Sequence, residues 1–273
     1  MKKYFIPLVA LVLTTAISCK KDRDNPEPPK PSVELDDART VLLKDLVAER
    51  LPSPFYHFEY DSKNYVTEVD YASGLAVYRI AYENRRITEM LNIRNGNSII
   101  YDYKNNQVSE ITEYMKSGER RFRFKFSYNN NSQLTEVLWY EFSKNNNGDL
   151  FKKSVLEYHP DGNLASIDHY TNSTGQFVRS KRDEFSNFDG KTNVNDFFLL
   201  QEFFDTFLFL PQVKLLKSNP LTQKIFTQDT DYDISYTYQF DNNLPVRRVG
   251  SMKQTRGTKE GETIEIIDRY SYY

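Results

Sequence analysis

The sequence predicts an all-β domain: an antiparallel meander of successive hairpins that curls into a barrel-like or strongly curved sheet, with one apolar helix packed on or inside the concave face. Three observations support this prediction. A hairpin unit recurs along the chain, its strands alternate aromatic with charged residues, and a single phenylalanine-rich segment interrupts the series. Repetition at such short intervals indicates one supersecondary unit used many times.

The repeated unit starts at a tyrosine that ends an aromatic strand. A turn of Asn, Asp, Gly or Lys residues follows, and a second strand then leaves in the opposite direction. The tyrosines of the clearest copies step by 22, 21, 25 and 30 residues, and a later copy begins with phenylalanine. The anchors are Tyr60, Tyr82, Tyr103, Tyr128, Tyr158 and Phe240.

Alternation within the strands is clearest from Arg121 to Tyr128, where aromatic and polar residues take turns. This pattern is typical of a half-buried antiparallel strand. One spacing departs from it: Leu134 and Val137, both apolar, are three residues apart. Either the first of them belongs to the turn, or each hairpin carries a β-bulge at this point.

The interrupting segment, residues 195–210, predicts a helix that begins at Asn195 and ends before Pro211. A narrow polar stripe would leave most of the helix perimeter apolar, so we expect the helix to be covered on most sides by the concave face of the sheet. Contact with a bilayer or a partner is the alternative. The stripe consists of Gln201, Glu202 and Asp205, and the apolar perimeter of Phe197, Phe198, Phe203, Phe204, Phe207 and Phe209.

The N-terminus predicts export and lipid anchoring. Residues 1–18 have the charged start, short apolar run and small residues of a signal peptide, and the run is too short to span a bilayer. Residues 16–19 resemble a lipobox, which implies a diacylglycerol and fatty acyl group such as palmitate on Cys19, the only cysteine. We expect a Pro-rich tether over 19–33, a short helix and linker over 34–54 (helix from about Leu35 to Glu49), and the hairpin domain over 55–273.

Charge and cysteine content narrow the class of protein. Removing the leader would change the formal net charge from −2 to −4, because Lys2 and Lys3 are lost. Nucleic acid is therefore not an expected partner, since that affinity depends on neutralising phosphates. The lone cysteine leaves no intrachain disulfide. The charged residues just after Cys19 resemble export signals of surface lipoproteins, which implies an outer-membrane lipoprotein at the cell surface rather than on the periplasmic face.

Two families resemble the repeats. The Tyr–acidic–turn–Leu-x-x-Val pattern is distantly similar to the tyrosine–aspartate repeats of RHS-type proteins. With the lipobox, the Pro-rich stalk and the closing segment from Tyr236 to Val246, the chain is more similar to an uncharacterised family of Bacteroidota-type lipoproteins with a porin-like β fold. This resemblance covers most of residues 55–273 and implies a fold and an envelope location, but no activity.

Catalytic and metal-binding motifs are hard to find in this sequence. There is no Gly-x-Ser-x-Gly elbow and no Gly-rich phosphate loop, so we assign no catalytic residue and no cofactor. A Ser/His/Asp set is present in composition only. His159 and His169 should stand roughly 17 Å apart on one hairpin, too far to share a metal ion.

Aromatic residues make up 15% of the chain, with 20 Tyr, 19 Phe and one Trp. They either form the core of the sheet or provide an exposed platform for a glycan or protein. Trp139 is the candidate ligand-binding residue, with Arg123 as its neighbour if Trp139 faces outward. The leading hypothesis is a non-catalytic binding or structural lipoprotein that engages a glycan or an envelope protein. The alternatives are a hydrolase with a carboxylate pair and a periplasmic carrier of an apolar ligand.

Overall fold

The computed structural model describes residues 36–143, 148–204 and 207–273. The predicted signal peptide, the predicted lipidation site Cys19 and the predicted Pro-rich tether lie outside these residues, and so does Asp205. The described residues from Asp36 onward belong to one compact unit, which spans Leu35–Tyr273.

Sixteen antiparallel strands form a closed barrel, in which each strand pairs with its neighbours in the chain and β1 pairs with β16 to complete the ring. The predicted all-β meander is therefore confirmed, with more strands than the dozen or so that the repeats indicate. The elements are β1 (Leu43–Ala48), β2 (Tyr56–Tyr60), β3 (Val66–Tyr71), β4 (Ala76–Glu83), β5 (Arg86–Asn92), β6 (Ser98–Lys104), β7 (Gln107–Tyr114), β8 (Arg120–Tyr128), β9 (Leu134–Glu141), β10 (Asp149–Tyr158), β11 (Leu164–Ser173), β12 (Gln176–Thr192), α1 (Phe197–Gln201), β13 (Ser218–Thr227), β14 (Asp231–Asp241), β15 (Leu244–Arg256) and β16 (Thr263–Tyr272).

A β-bulge explains the three-residue spacing of the repeat. Tyr128 pairs with Leu134, but the preceding Ser127 pairs with Glu136, so Thr135 is an extra residue in β9. The bulge turns both Leu134 and Val137 toward the interior, where they are 1% and 2% exposed. The second of the two explanations offered by the sequence is the correct one.

The hydroxyl groups of the five repeat tyrosines form a series of hydrogen bonds along strands β1 to β10. Each hydroxyl donates to the backbone carbonyl of an apolar residue on a neighbouring strand, at 2.8 or 2.9 Å. In four copies the acceptor is the first apolar residue after the turn of the preceding unit, so this bond joins consecutive hairpins. The pairs are Tyr60–Leu43, Tyr82–Val66, Tyr103–Ile87, Tyr128–Val108 and Tyr158–Leu134.

Helix α1 is shorter than the sequence predicts, spanning Phe197–Gln201 rather than residues 195–210. Asn195 does not cap it, because its amide donates to the Tyr270 hydroxyl. Asp196 takes the N-cap position without a side-chain capping bond, and its carboxylate accepts hydrogen bonds from the amides of Leu215 and Leu216 instead. Contacts with the barrel thus replace the helical ones that the sequence pattern implies.

The segment around α1 fills the interior, as predicted. Five of its six phenylalanines are at most 7% exposed, and Phe198 packs against the same core. Gln201, predicted to face outward, instead contacts two interior tyrosines: it accepts from the Tyr56 hydroxyl and donates to that of Tyr71. A partly buried amide with both ends hydrogen-bonded fixes α1 against β2 and β3.

The predicted N-terminal helix, from about Leu35 to Glu49, is wrong. Residues Leu43–Ala48 form β1 and close the barrel between β16 and β2. Leu43, Leu46 and Ala48 are buried in its wall. Pairing with two strands outweighs the weak helical pattern, and the barrel begins before residue 55.

Polar side chains dominate the outer face of the strands. On β14, Asp233, Ser235 and Thr237 are exposed, whereas the alternating Ile234 and Tyr236 are buried. The outward-facing positions of β14 are therefore polar and the inward-facing ones are buried. None of the described helices is long and apolar enough to cross a membrane.

Candidate functional site

A polar pocket of about 150 Å³ opens between four neighbouring strands and the end of the interior segment. Alternation along β9 to β12 brings one or two side chains of each strand to the inner face. The interior beside these strands is packed with phenylalanine side chains, so the polar side chains of the four strands lie together in one small pocket. The residues that define the pocket are Trp139, Lys152, Ser154, His169, Lys181 and Glu202.

Trp139 faces inward, so the structure does not place it beside Arg123 on one surface. Its ring is 3% exposed and packs edge-on to Phe122, with centroids 5.3 Å apart. The indole Nε1 is buried and has no hydrogen-bond partner among the described residues. An indole N–H can only donate, and buried ones usually find an acceptor. Trp139 thus lines the pocket with an unused donor.

Arg123 lies on the outer face of β8. It pairs across the sheet with Tyr140, and its guanidinium stands 4.7 Å from the centre of that ring. Lys153 on β10 makes a similar contact with Tyr170, at 5.0 Å. The sequence predicted Arg123 as a neighbour only of an outward-facing Trp139. Because successive residues of a strand face opposite sides, Arg123 contacts the ring of the adjacent Tyr140.

His169 contributes a largely buried imidazole to the pocket. Its Nδ1 lies 2.9 Å from the Ser154 hydroxyl, and its Nε2 is buried without a hydrogen-bond partner. Burial, reinforced by the nearby charge of Lys181, lowers the pKa of His169 to about 4. The imidazole is therefore neutral at physiological pH and offers one donor and one acceptor.

Lys181 forms ion pairs with two carboxylates, that of Glu202 at the mouth of the pocket and that of the buried Asp183. Its ammonium is 2.8 Å from Glu202 Oε1 and 3.2 Å from Asp183 Oδ2. Burial raises the pKa of Asp183 against the opposing effect of Lys181, and Gln223 donates to the other carboxylate oxygen. Burial alone would lower the pKa of Lys181, but the two acids raise it. The lysine is therefore a fixed cation.

Ser154, His169 and Asp183 resemble a nucleophilic triad in composition, but their geometry does not suit one. Asp183 Oδ2 is 3.8 Å from His169 Nε2, beyond hydrogen-bond distance, and is engaged by Lys181. Ser154 is buried in the middle of a regular strand, without the strained turn that exposes a nucleophile. Nor do the two carboxylates suit glycoside hydrolysis, because an ammonium lies between them.

The described residues contain no group of three or more His, Cys, Asp and Glu side chains arranged to hold a metal ion. His159 and His169 have separate contacts: His159 Nε2 lies 2.9 Å from the Phe185 carbonyl oxygen, whereas His169 contacts Ser154.

A second cavity, of about 140 Å³, lies beneath the N-terminal segment and is lined by Arg39, Phe58, Tyr60 and Phe209 among others. The Arg39 guanidinium donates to the Pro211 carbonyl and stands over the Phe209 ring. These groups satisfy one another, so we regard this cavity as a packing feature.

Fold and site together define a class of protein: a β-barrel that is filled by its own chain and has a small pocket between β9, β10, β11 and β12. Two solved structures share the fold. A porin-like protein from Bacteroides uniformis has 11% identity and a TM-score of 0.55, covering 80% of this chain and 89% of its own. A porin-like protein from Bacteroides vulgatus has 14% identity and a TM-score of 0.55, covering 85% and 99%.

At these identities the likeness shows a common barrel fold and nothing more specific. The predicted porin-like β fold is thereby supported, while the lipoprotein family and the tyrosine–aspartate repeats stay predictions. A scan against protein-family models finds no match, and no curated protein sequence matches either.

Proposed function

We propose that this chain is an envelope-anchored, non-catalytic binding lipoprotein whose barrel presents a ligand pocket to a glycan of the cell envelope. One observation carries this proposal: the barrel is filled by its own chain, and beside that filling lies an open pocket lined by Trp139 and His169, each with a buried nitrogen atom that lacks a partner. A rigid, prefilled scaffold favours recognition by a fixed site.

The outer face of the barrel supports attachment through a lipid rather than through the strands. A barrel whose strands contact lipid carries an apolar outer band, whereas β8 and β14 present Arg, Lys, Asp and Ser outward. An acylated Cys19 followed by a Pro-rich tether would hold such a domain at the outer membrane. Porin-like neighbours are compatible with the same envelope location.

The two alternative functions find less support. A carrier of an apolar ligand needs empty apolar space, but Phe203, Phe207 and Phe209 occupy the interior and are 1–2% exposed. A hydrolase needs a nucleophile or a free pair of acids, but the serine, histidine and carboxylates of the pocket are arranged otherwise. Binding without catalysis is the function that remains well matched.

Anchoring is tested with Cys19→Ser in the native host. The wild type should partition with the outer membrane and carry acyl chains by mass spectrometry. The variant should appear in the soluble fraction or as an unprocessed precursor. Protease treatment of intact cells should digest a surface-displayed barrel. An unmodified Cys19 thiol in the mature wild type would contradict the anchor, and resistance until lysis would place the protein on the periplasmic face.

Binding is tested by incubating the purified full-length lipoprotein, in detergent, with polysaccharide and with protein fractions from the same envelope. Retention by the polysaccharide alone is the expected result. Retention by a protein fraction alone would replace the glycan with an envelope protein as partner. Release of reducing ends from the polysaccharide during incubation would contradict the non-catalytic assignment.

A further inference from the structure

From the donors in the pocket, we infer that the ligand is an acidic sugar residue whose carboxylate is bound by Lys152, Trp139 and His169. This inference rests on the proposed function and names its ligand class. Two of the donors are buried nitrogen atoms without a partner, Trp139 Nε1 and His169 Nε2, and both residues line the same pocket. The third is the Lys152 ammonium on the adjacent strand.

Lys152 differs from Lys181 in having no acidic partner among the described residues. Its ammonium lies 4.2 Å from the centre of the Trp139 ring and 5.3 Å from that of Phe151. Lys181 is instead held by both Asp183 and Glu202. A cation that only contacts ring faces stays available to an anion, and one ammonium matches one carboxylate.

The Ser154 hydroxyl can either donate to His169 Nδ1 or accept from it, so the neighbouring charge determines which nitrogen of His169 donates. A Ser154 hydroxyl that donates to Nδ1 leaves the proton on Nε2, and the Asp183 carboxylate 3.8 Å away favours that tautomer electrostatically. The Nε2–H group is then an unused donor in the same pocket as the Trp139 N–H group. Two neutral donors and one ammonium suit the oxygens of a carboxylate.

The remaining walls suit the ring that carries the carboxylate. The pocket volume, about 150 Å³, is comparable to that of a cavity known to hold a single six-membered ring. Val137 and Phe203 provide apolar contact for the C–H face of the ring. Glu202, with a side chain 43% exposed, accepts from sugar hydroxyls at the mouth. A phosphate dianion is less suitable, because it would add a second negative charge beside two carboxylates.

The ligand can be detected directly, because Trp139 is the only tryptophan of the chain. Its fluorescence is followed in the full-length lipoprotein during titration with the sodium salts of glucuronic and galacturonic acid. Glucose, galactose and glucose 6-phosphate are titrated alongside, and sodium chloride matches the ionic strength. We expect a saturable change with the acids and at least about tenfold weaker binding of the neutral sugars, the effect of losing one charge-assisted contact.

Two lysine variants provide a matched pair. Lys152→Met should remove the preference for the acids, whereas Lys125→Met, which changes a lysine of β8 that stands over Tyr140 outside the pocket, should preserve it. Circular dichroism and the emission spectrum of the unliganded protein verify that both variants fold. Trp139→Phe, measured by calorimetry, retains an aromatic ring but removes the N–H donor and should weaken binding of the acids.

Equal binding of acidic and neutral sugars, unchanged in Lys152→Met, would overturn the carboxylate inference while leaving a glycan-binding protein. Tighter binding of glucose 6-phosphate than of the uronic acids would replace the carboxylate with a phosphate. If sodium chloride changes the Trp139 fluorescence as much as the uronic acids do, the pocket holds an adventitious ion only. Failure of the intact protein to retain any envelope polysaccharide would instead contradict the proposed function itself.

Discussion

Phe207 is the residue at which the filled interior can be tested most directly. It is 1% exposed, and its ring lies within 5.5–6.3 Å of the rings of Tyr56, Phe58, Tyr78, Phe197 and Phe209. Phe207→Ala removes about 150 Å² of buried aromatic surface, which corresponds to about 4 kcal/mol at ~25 cal/mol per Å². This value lies within the ~3–5 kcal/mol observed for buried phenylalanines.

Urea denaturation monitored by circular dichroism measures this loss, with Leu75→Ala as a control. Leu75 is 72% exposed, so its truncation should change the free energy of unfolding by about 0.5 kcal/mol or less. In thermal unfolding, ~4 kcal/mol should lower Tm by roughly 8–16 °C for a domain of this size. Similar midpoints for Phe207→Ala and Leu75→Ala would refute the interior packing and favour a membrane or partner contact for this segment.

Two further predictions concern the hydrogen bonds of the repeat tyrosines and the acid Asp196. Tyr128→Phe removes the 2.9 Å bond to the Val108 carbonyl and should cost about 1 kcal/mol in urea unfolding, whereas Tyr140→Phe on the outer face should be nearly neutral. Equal losses of unfolding free energy in Tyr128→Phe and Tyr140→Phe would show that the tyrosine–carbonyl hydrogen bond does not stabilise the barrel. Burial raises the pKa of Asp196 to about 6, so the folded state binds this proton more tightly than the unfolded chain does. The stability that wild type has relative to Asp196→Asn should be present below the unfolded pKa near 4 and be lost as the pH rises through 6. A difference independent of pH would show that Asp196 is not buried as described.

The repeats were readable because their signals are local. Turn residues such as Asn105 and Asn106 adopt positive φ values, which Asn tolerates, so a hairpin can be recognised within a few residues. Alternation then determines which side chains face inward. The sequence could not show whether the repeat carries a bulge, because Leu134 lies near the turn in both explanations of the three-residue spacing. Only the pairing partner across the sheet, Glu136 opposite Ser127, distinguishes them.

The two predicted helices depended on neighbours that no local pattern reveals. The segment from Leu43 to Ala48 becomes a strand because β16, more than 200 residues away in the chain, offers it an unpaired edge. Helix α1 begins after the predicted Asn195 cap because the side chains of Asn195 and Asp196 bind Tyr270 and the amides of residues 215 and 216. In both cases a contact distant in sequence outweighs a modest helical preference.

The pocket divides in the same way between what is local and what is not. Trp139 could be selected from the sequence as the chain's single tryptophan, but its orientation could not, since a register shift by one residue exchanges the two faces of a strand. Lys152, His169, Lys181 and Glu202 carried no motif, because they come from separate strands and from the interior segment. The sequence by itself determined a meander of hairpins with an apolar segment to cover, since turns and alternation act over a few residues. Closure of the ring, the polarity of each face and the convergence of the pocket donors were decided only by the tertiary structure, because each requires strands distant in the chain to meet.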